Sequence, residues 1–352
     1  MPNPSNPTAS GSIVSDELEA EVRENQAHEE TKAALNRALI SLARAKAQTE
    51  DLVEAVYRAS RDAVIANQPK ATHKPKADTR RRKSEAALWH LTDWQGAKVT
   101  PSYNSDVMWQ RVHTYVDKVQ RITEIQRTDH PVRHATILFT GDMVEGLFNF
   151  PTQPYEVDAT LFQQWVSVSR LLGEVVQRAL GFNDTVQVVA EWGNHGRIGS
   201  KRDVVPRADN LDRMCYETAR QMLAHEKRLV WQDCPEDIQK VEIGNYRAIA
   251  MHGDETGRSG YVSKTTFLNY LNKLKAGGFG WPFLDAYTGH RHTHDEMPMS
   301  DGLGAWYQTG STESGNRYAR DGMGTSALPS QRLHFVNPEL GRVTAQYKIW
   351  LD

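Results

Sequence analysis

Five short stretches of the chain carry side chains that could hold metal ions: Asp93-Trp94-Gln95, Gly141-Asp142, Gly193-Asn194-His195, His252-Gly253-Asp254 and Gly289-His290-Arg291-His292. Together they offer carboxylates (Asp93, Asp142), amide oxygens (Gln95, Asn194) and imidazoles (His252, His290, His292). Oxygen donors alone would favour Mg2+ or Ca2+; the imidazoles move the expectation toward Mn2+, Zn2+, Fe or Ni2+. A carboxylate shared by two such ions can hold them about 4 Å apart, the spacing used for displacement at phosphorus. Gly-Asp or Asp-x-Gln alone is common and decides nothing. The weight lies in the order of the five elements, each at the end of an apolar run.

Those runs define the elements that must position the ligands. ALWHLTDW, HATILFTGD and TVQVVAEWGNHG read as buried strands, VEIGNYRAIAMHGD as a hairpin, and DAYTGHRHTH as a strand entering a His-rich loop. Between them, residues 104–129, 158–180, 211–229 and 263–279 carry helical periodicity. From Trp306 to Asp352 the pattern is one of short strands and turns. Strands alternating with helices make an α/β architecture, and such sheets collect ligands in the loops at the carboxyl ends of their strands.

With these residues in place, the stretch from 87 to 311 resembles the calcineurin-like metallophosphoesterase superfamily. The family's blocks are Asp-x-His, Gly-Asp, Gly-Asn-His-Asp/Glu, a lone His and Gly-His-x-His. They correspond here to Asp93-x-Gln95, Gly141-Asp142, Gly193-Asn194-His195-Gly196, His252 and Gly289-His290-Arg291-His292. The resemblance implies a four-layer α/β/β/α sandwich around two sheets and two divalent metal ions, Mn2+ foremost. Asp93, Gln95 and His292 would hold the first ion, Asp142 would bridge both, and Asn194, His252 and His290 would complete the second. His195 would donate a proton to the departing oxygen or stabilise the transition state, and the nucleophile would be a hydroxide generated at the metals.

Two residues depart from the family pattern. Gln95 stands where His is usual, a weaker and harder ligand, so the first site should be labile and lean toward Mn2+ or Mg2+. Gly196 replaces the carboxylate that often orients the motif His, so His195 needs another partner. Arg197 is a candidate contact for a substrate phosphate or an ordinary solvated arginine. Glu145 and His294 are candidates for supporting contacts, and Asp254 for orienting His252. Trp94 and Trp192 read first as packing residues and second as base-stacking ones. His113, His134 and His334 read as surface or core histidines.

Asp93-Trp94-Gln95-Gly96 is similar to the opening Asp-Trp-His-x-Gly of the double-strand-break-repair DNA exonucleases, one residue shorter. With a basic stretch before the first strand, this points to phosphodiester hydrolysis in nucleic acid, and is compatible with a phage-encoded nuclease. The alternatives are a phosphatase or phosphodiesterase for nucleotides or phosphoproteins, and a metal-binding interaction module without catalysis.

The rest of the 352-residue chain sets the context. Lys plus Arg number 42 against 44 Asp plus Glu, a net charge of -2, which excludes a wholesale polycation but allows a local basic patch. Two cysteines, Cys215 and Cys234, exclude a disulfide scaffold and a four-cysteine zinc site. No apolar run reaches membrane-spanning length and the N-terminus has no secretory pattern, so a cytoplasmic protein is expected, in a host cytoplasm if phage-encoded. Residues 1–15 read as a disordered tail. Residues 16–66 read as a helical segment whose apolar stripe either packs on its own domain or forms a coiled coil with a second copy or a partner. Residues 67–85 read as a basic linker, either a solvated tether or an arm that tracks phosphates. The metallophosphoesterase-like domain is expected over 86–352.

Overall fold

The structure, a computed structural model, describes residues 72–76, 78–80, 83–149, 152–199, 209–233, 236–255, 262–316 and 328–352, with Arg58 and Asp62. The chain divides into two compact units, Met1–Ala59 and Ser60–Asp352. In the first unit only Arg58 is described, as an exposed helical residue. The expected tail and most of the expected helical segment therefore lie outside the described residues. Among the described residues, no helix is long and apolar enough to cross a membrane.

The second unit is built on two sheets. The first runs β11-β10-β1-β2-β3-β4, with β1 (Glu85–Leu91), β2 (Val132–Thr140), β3 (Thr185–Glu191) and β4 (Leu229–Trp231) parallel. β10 (Ser330–Asn337) joins antiparallel to β1, and β11 (Arg342–Trp350) to β10. The second sheet runs β5-β6-β7-β9-β8 from β5 (Gln239–Ile243), β6 (Tyr246–Met251), β7 (Asp285–Thr288), β8 (Asp295–Pro298) and β9 (Ala305–Gln308). Every residue of β1 is buried, as befits a central strand covered on both faces.

Alternation decides which face each side chain serves. Ala86, Leu88, Leu138, Val189 and Val336 of the first sheet meet Val241, Tyr246, Ala248, Tyr287 and Tyr307 of the second in one apolar cluster. On the outer face of the first sheet, Trp89 meets Tyr115 of α1 (Ser105–Gln126), and Phe139 stacks on Tyr216 of α3 (Leu211–Met222). Between them in sequence lies α2 (Leu161–Phe182), which buries Trp165, Val168, Leu172 and Val176. The outer face of the second sheet packs Ile249, Met251 and Trp306 against Phe267 and Leu271 of α4 (Lys264–Lys273). The result is the α/β/β/α sandwich that the resemblance implies. The helices begin on polar caps: Asn104 accepts from Val107 N–H, Thr160 and Gln163 form a reciprocal capping box, and Asn210 and Ser263 cap α3 and α4.

Polar groups also cross the core. Arg332 donates from Nη1 to His334 Nε2 (3.1 Å), and His334 Nδ1 continues to Tyr287 OH, Tyr246 OH and Asp285 Oδ2 in steps of 2.9, 2.9 and 2.8 Å. The other branch runs from Arg332 Nε to Thr309 Oγ1 (3.3 Å), His90 Nδ1 (2.8 Å) and, through His90 Nε2, Thr140 Oγ1 (2.8 Å). An arginine only donates, so His334 Nε2 must accept and its proton sits on Nδ1.

Three features differ from the sequence reading. The C-terminal region holds two long strands, β10 and β11, rather than only short ones, and β10 lies beside β1 in the centre of its sheet. The periodicity through 211–229 ends at Met222, and Leu229–Trp231 pairs as β4 instead. The described part of the basic stretch is docked: Thr72 N–H donates to Glu226 (2.6 Å), Arg228 to Thr72 O (3.1 Å), Arg133 to Asp78 O (3.0 Å) and Arg80 to Arg127 O (2.7 Å). Its Lys76 and Arg80 line a cavity with Val132, Arg133 and Asp184 at the N-terminal ends of β2 and β3. The nine residues of β2 separate that end from Asp142 by roughly 30 Å at about 3.3 Å per residue.

Candidate metal centre

The ligand loops all leave the carboxyl ends of parallel strands: Asp93 after β1, Asp142 after β2, Asn194 and His195 after β3, His252 after β6, His290 and His292 after β7. Close approach is what the motif glycines permit. A Cβ at Gly193 would lie 2.1 Å from Asp142 Oδ1, and one at Gly289 2.3 Å from Asp93 Oδ2. The ligands themselves pay in backbone conformation. Asp93, Gln95, Asp142, His290 and His292 have φ of 51°, 49°, 54°, 68° and 54°, the left-handed region that non-glycine residues seldom adopt.

Asp142 lies at the centre. Its Oδ1 accepts from His195 N–H (2.8 Å). Its Oδ2 faces His252 Nε2 at 3.2 Å on one side and Gln95 Nε2 at 3.3 Å on the other. Around His252 Nε2 gather Asn194 Oδ1 (3.1 Å) and His290 Nδ1 (3.2 Å). The ligand atoms of Asp142, His252 and His290 all lie within 4.8 Å of one another. On the other side, His292 Nε2 is 3.3 Å from Asp93 Oδ1 and 3.3 Å from Gln95 Nε2. The structure thus brings together all seven residues expected to ligate, in two groups that meet at Asp142.

The donor set suits divalent cations. His252 Nδ1 donates to Thr140 O (2.7 Å), so the ring, when neutral, would turn an Nε2 lone pair toward the Asp142 and Asn194 oxygens. Acceptors facing acceptors are favourable only with a cation or proton between them. Gln95 Oε1 is buried with no hydrogen-bond partner, and half a turn of its amide would aim it at Asp142 and His292. Without ions, protons do this work. Burial opposes charge on His292, but the carboxylates of Asp93 and Glu313 raise it to about 10. Burial and the neighbouring His252 push His290 down to about 4.

Supporting residues fix this arrangement. Asp212, at the start of α3, accepts from the backbone N–H groups of Asp142 (2.8 Å), Met143 (3.0 Å), Val144 (3.2 Å) and Gly193 (2.9 Å), tying two ligand loops together. Glu145 Oε2 lies 3.1 Å from His195 Nδ1, and its Oε1 accepts from Lys98 (3.0 Å). Glu313 holds His292 Nδ1 at 3.0 Å. Asp212 and Glu313 went unnoticed in the sequence. Asp212 sits 70 residues from Asp142 and carries no motif of its own, and Glu313 follows the final strand of its sheet in a run of Ser and Thr.

Other sequence candidates take different places. Asp254 pairs with Arg197 rather than orienting His252, whose Nδ1 is fixed by Thr140 and whose N–H goes to Glu255. Arg197 is engaged by that ion pair. Trp94 is buried edge-on to Phe139 and Trp192 is buried beneath Arg213, so both serve packing and neither offers a stacking face. His294 lies apart from the cluster, where burial and the charges of Arg332 and Lys348 bring it down to about 2.

No protein-family model matches the chain, and no curated protein matches it. It is similar to several solved structures. One is a hypothetical protein from Pyrococcus horikoshii, 11% identical with a TM-score of 0.37, covering 76% of this chain and 89% of that one. Another is Vps29 complexed with Zn2+ from Entamoeba histolytica, 12% identical with a TM-score of 0.33, covering 76% and 99%. A third is a putative 5'-nucleotidase from Staphylococcus aureus in complex with alpha-ketoglutarate, 11% identical with a TM-score of 0.35, covering 76% of this chain and 54% of that one.

Proposed function

We propose that the chain is a metal-dependent phosphoesterase that hydrolyses phosphodiesters. The observation that carries this reading is the position of Asp142 Oδ2, 3.2 Å from His252 Nε2 and 3.3 Å from Gln95 Nε2, between two groups of ligands. Asp93, Gln95 and His292 would hold one divalent ion, Asn194, His252 and His290 the other, and Asp142 both. Bound ions would supply Lewis-acid polarisation of the phosphoryl group and activation of water.

The chain's own residues handle the leaving group. His195 is not needed as a ligand. Glu145 holds its Nδ1, so the partly exposed ring presents Nε2, 3.9 Å from Asp142 Oδ2, to a departing ester oxygen. Lys98 donates to Glu145 Oε1 (3.0 Å) and so fixes this residue beside His195, whose Nδ1 also lies 3.2 Å from Glu145 O.

The nuclease form of this activity rests on the Asp93-Trp94-Gln95-Gly96 opening. Lys76 and Arg80 of the basic stretch lie at the N-terminal ends of β2 and β3, the far end of the sheet from this site.

The test is a rate panel on the full chain, stripped of metal and then given Mn2+, with an aryl phosphodiester, cyclic nucleotides, RNA and single- and double-stranded DNA. Turnover of at least one diester that disappears with chelator and in Asp142→Asn is expected. Absence of metal-dependent turnover across the panel, with Mn2+ bound, would reduce the site to metal binding.

A further inference from the structure

The turn that follows Gln95 delivers a cation into the interior. Gly96 lets the chain pass where a Cβ would stand 2.6 Å from Val168 Cγ2 and 2.8 Å from Met143 O, and Ala97 follows at a φ of 80°. The next residue is Lys98, which is buried and whose N–H donates to Gln95 O (2.9 Å). Its Nζ donates to Glu145 Oε1 (3.0 Å) and lies 3.6 Å from the half-exposed Glu156. Burial opposes a charge on Lys98, but Glu145, Glu313 and Glu156 outweigh it and raise the ammonium above its ordinary pKa.

Glu145 and Glu313 are both buried, and each holds the outer nitrogen of one site histidine. Glu145 Oε2 lies 3.1 Å from His195 Nδ1, and Glu313 Oε2 lies 3.0 Å from His292 Nδ1. Glu313 is fixed from its own side. Ser311 Oγ donates to Asp93 O (2.6 Å) and accepts from Glu313 N–H (2.8 Å), and Arg111 donates to Thr312 O (2.7 Å). Against burial, His292 and then Lys98 hold the Glu313 carboxyl below its ordinary value. Both carboxylates also act on one buried phenol, Tyr103, which burial foremost, with Glu313 and Glu145 adding to it, drives upward. His195, Glu145, Lys98, Glu313 and His292 thus form one buried patch in which a single cation serves two anions. Two buried carboxylates around one spot are tolerated only with a positive charge to share.

Resting on the phosphoesterase reading above, we propose that Lys98 is a positioning residue shared by both halves of the site: through Glu145 it sets the ring of His195, and through Glu313 the ring of His292. One ammonium thereby fixes how both imidazoles present Nε2, one to a departing oxygen and the other to an ion at the Asp93 side.

The experiment compares Lys98→Met and Lys98→Arg with Glu145→Gln, Glu313→Gln and Glu156→Gln in the full chain. The first readout needs no turnover. It is the pair of imidazole Nδ1 proton resonances of His195 and His292 in Zn2+-loaded protein with isotope-labelled histidine. Lys98→Met should move both while the backbone amide spectrum away from the site stays in place. Glu145→Gln should move that of His195 alone, Glu313→Gln that of His292 alone, and Glu156→Gln neither. Lys98→Arg, which keeps the charge, should hold both near their wild-type positions. In the same Lys98→Met protein, Mn2+ affinity at the Asp93 side should fall roughly 10-fold. Its kcat on aryl diesters should fall roughly 10- to 100-fold, less as the leaving group becomes more acidic. Lys98→Gln, with a donor but no charge, gives the same readings should Lys98→Met not fold. Neither resonance moved, or only one, overturns the shared role and leaves the phosphoesterase reading standing. Both resonances moved, in a protein whose wild type turns over no diester, sinks the hydrolase and keeps Lys98 as the residue that sets two rings.

Discussion

Glu145 and His195 stand 50 residues apart in sequence and 3.1 Å apart in space, carboxylate against Nδ1. In the proposed reading Glu145 takes the place of the carboxylate that directly follows the His in the resembled pattern, and Gly196 shows why the acid cannot sit there. A Cβ at Gly196 would lie 2.3 Å from Asn210 Oδ1, the group that caps α3.

From that pair follows a rate prediction. His195→Ala should lower kcat by roughly 10² to 10⁴, with bound metal retained, and the loss should shrink as the leaving group becomes more acidic. Glu145→Gln should reproduce the leaving-group trend at about 10- to 100-fold. The double variant should lose little beyond His195→Ala, since the two act as one unit. Metal loss in His195→Ala, or equal losses across a series of aryl esters, would remove the proton-donor role.

Gln95 makes a second prediction. Gln95→His should tighten binding at the Asp93 side and shift its preference from Mn2+ toward Zn2+, because imidazole is the softer donor. Competitive titration of the two ions into metal-free protein measures both. Unchanged affinity and order of preference would take Gln95 off the ligand list.

Gly196→Asp tests the geometry directly. Restoring the usual acid should destabilise the protein by roughly 1–3 kcal/mol through the clash with Asn210 and not raise activity. A gain in activity with unchanged Tm would show that the loop opens to admit the side chain.

The core network predicts acid sensitivity. Burial, then the nearby charge of Arg332, hold His90 and His334 well below the ordinary value of 6.5. Below that value the unfolded chain binds more protons at these two sites than the folded one, so stability falls as pH drops from about 6.5. The slope approaches roughly 1.4 kcal/mol per pH unit for each ring. Urea unfolding between pH 7 and 5 in chelator should show this loss, and a His90→Gln, His334→Gln variant should flatten it. An equally steep slope in the variant would place the acid response elsewhere.

The candidate ligands stood out in the sequence because each candidate motif follows a buried parallel strand, and a run such as HATILFTGD shows both strand and carboxylate in nine letters. The α/β class followed from the same runs, and the two-sheet sandwich from the resemblance. What brings Glu313 to His292, or Asp212 to four backbone N–H groups, is the packing of separate loops, and no local pattern records it. β4 and β8 are short edge strands of three and four residues, below the length at which periodicity separates from noise. β10 escaped notice although it is central and buried, because its apolar residues are interleaved with Gln331, Arg332 and His334, the polar chain that crosses the core.

The left-handed backbone at Asp93, Gln95, Asp142, His290 and His292 has a consequence for how ions would be captured. Each such position costs on the order of 1 kcal/mol, met by the sheets when the chain folds. The cage is therefore set like a sprung trap before any ion arrives. Ion capture would need little ordering of loops, and its speed would be governed by shedding of the ion's own water shell rather than by motion of the protein.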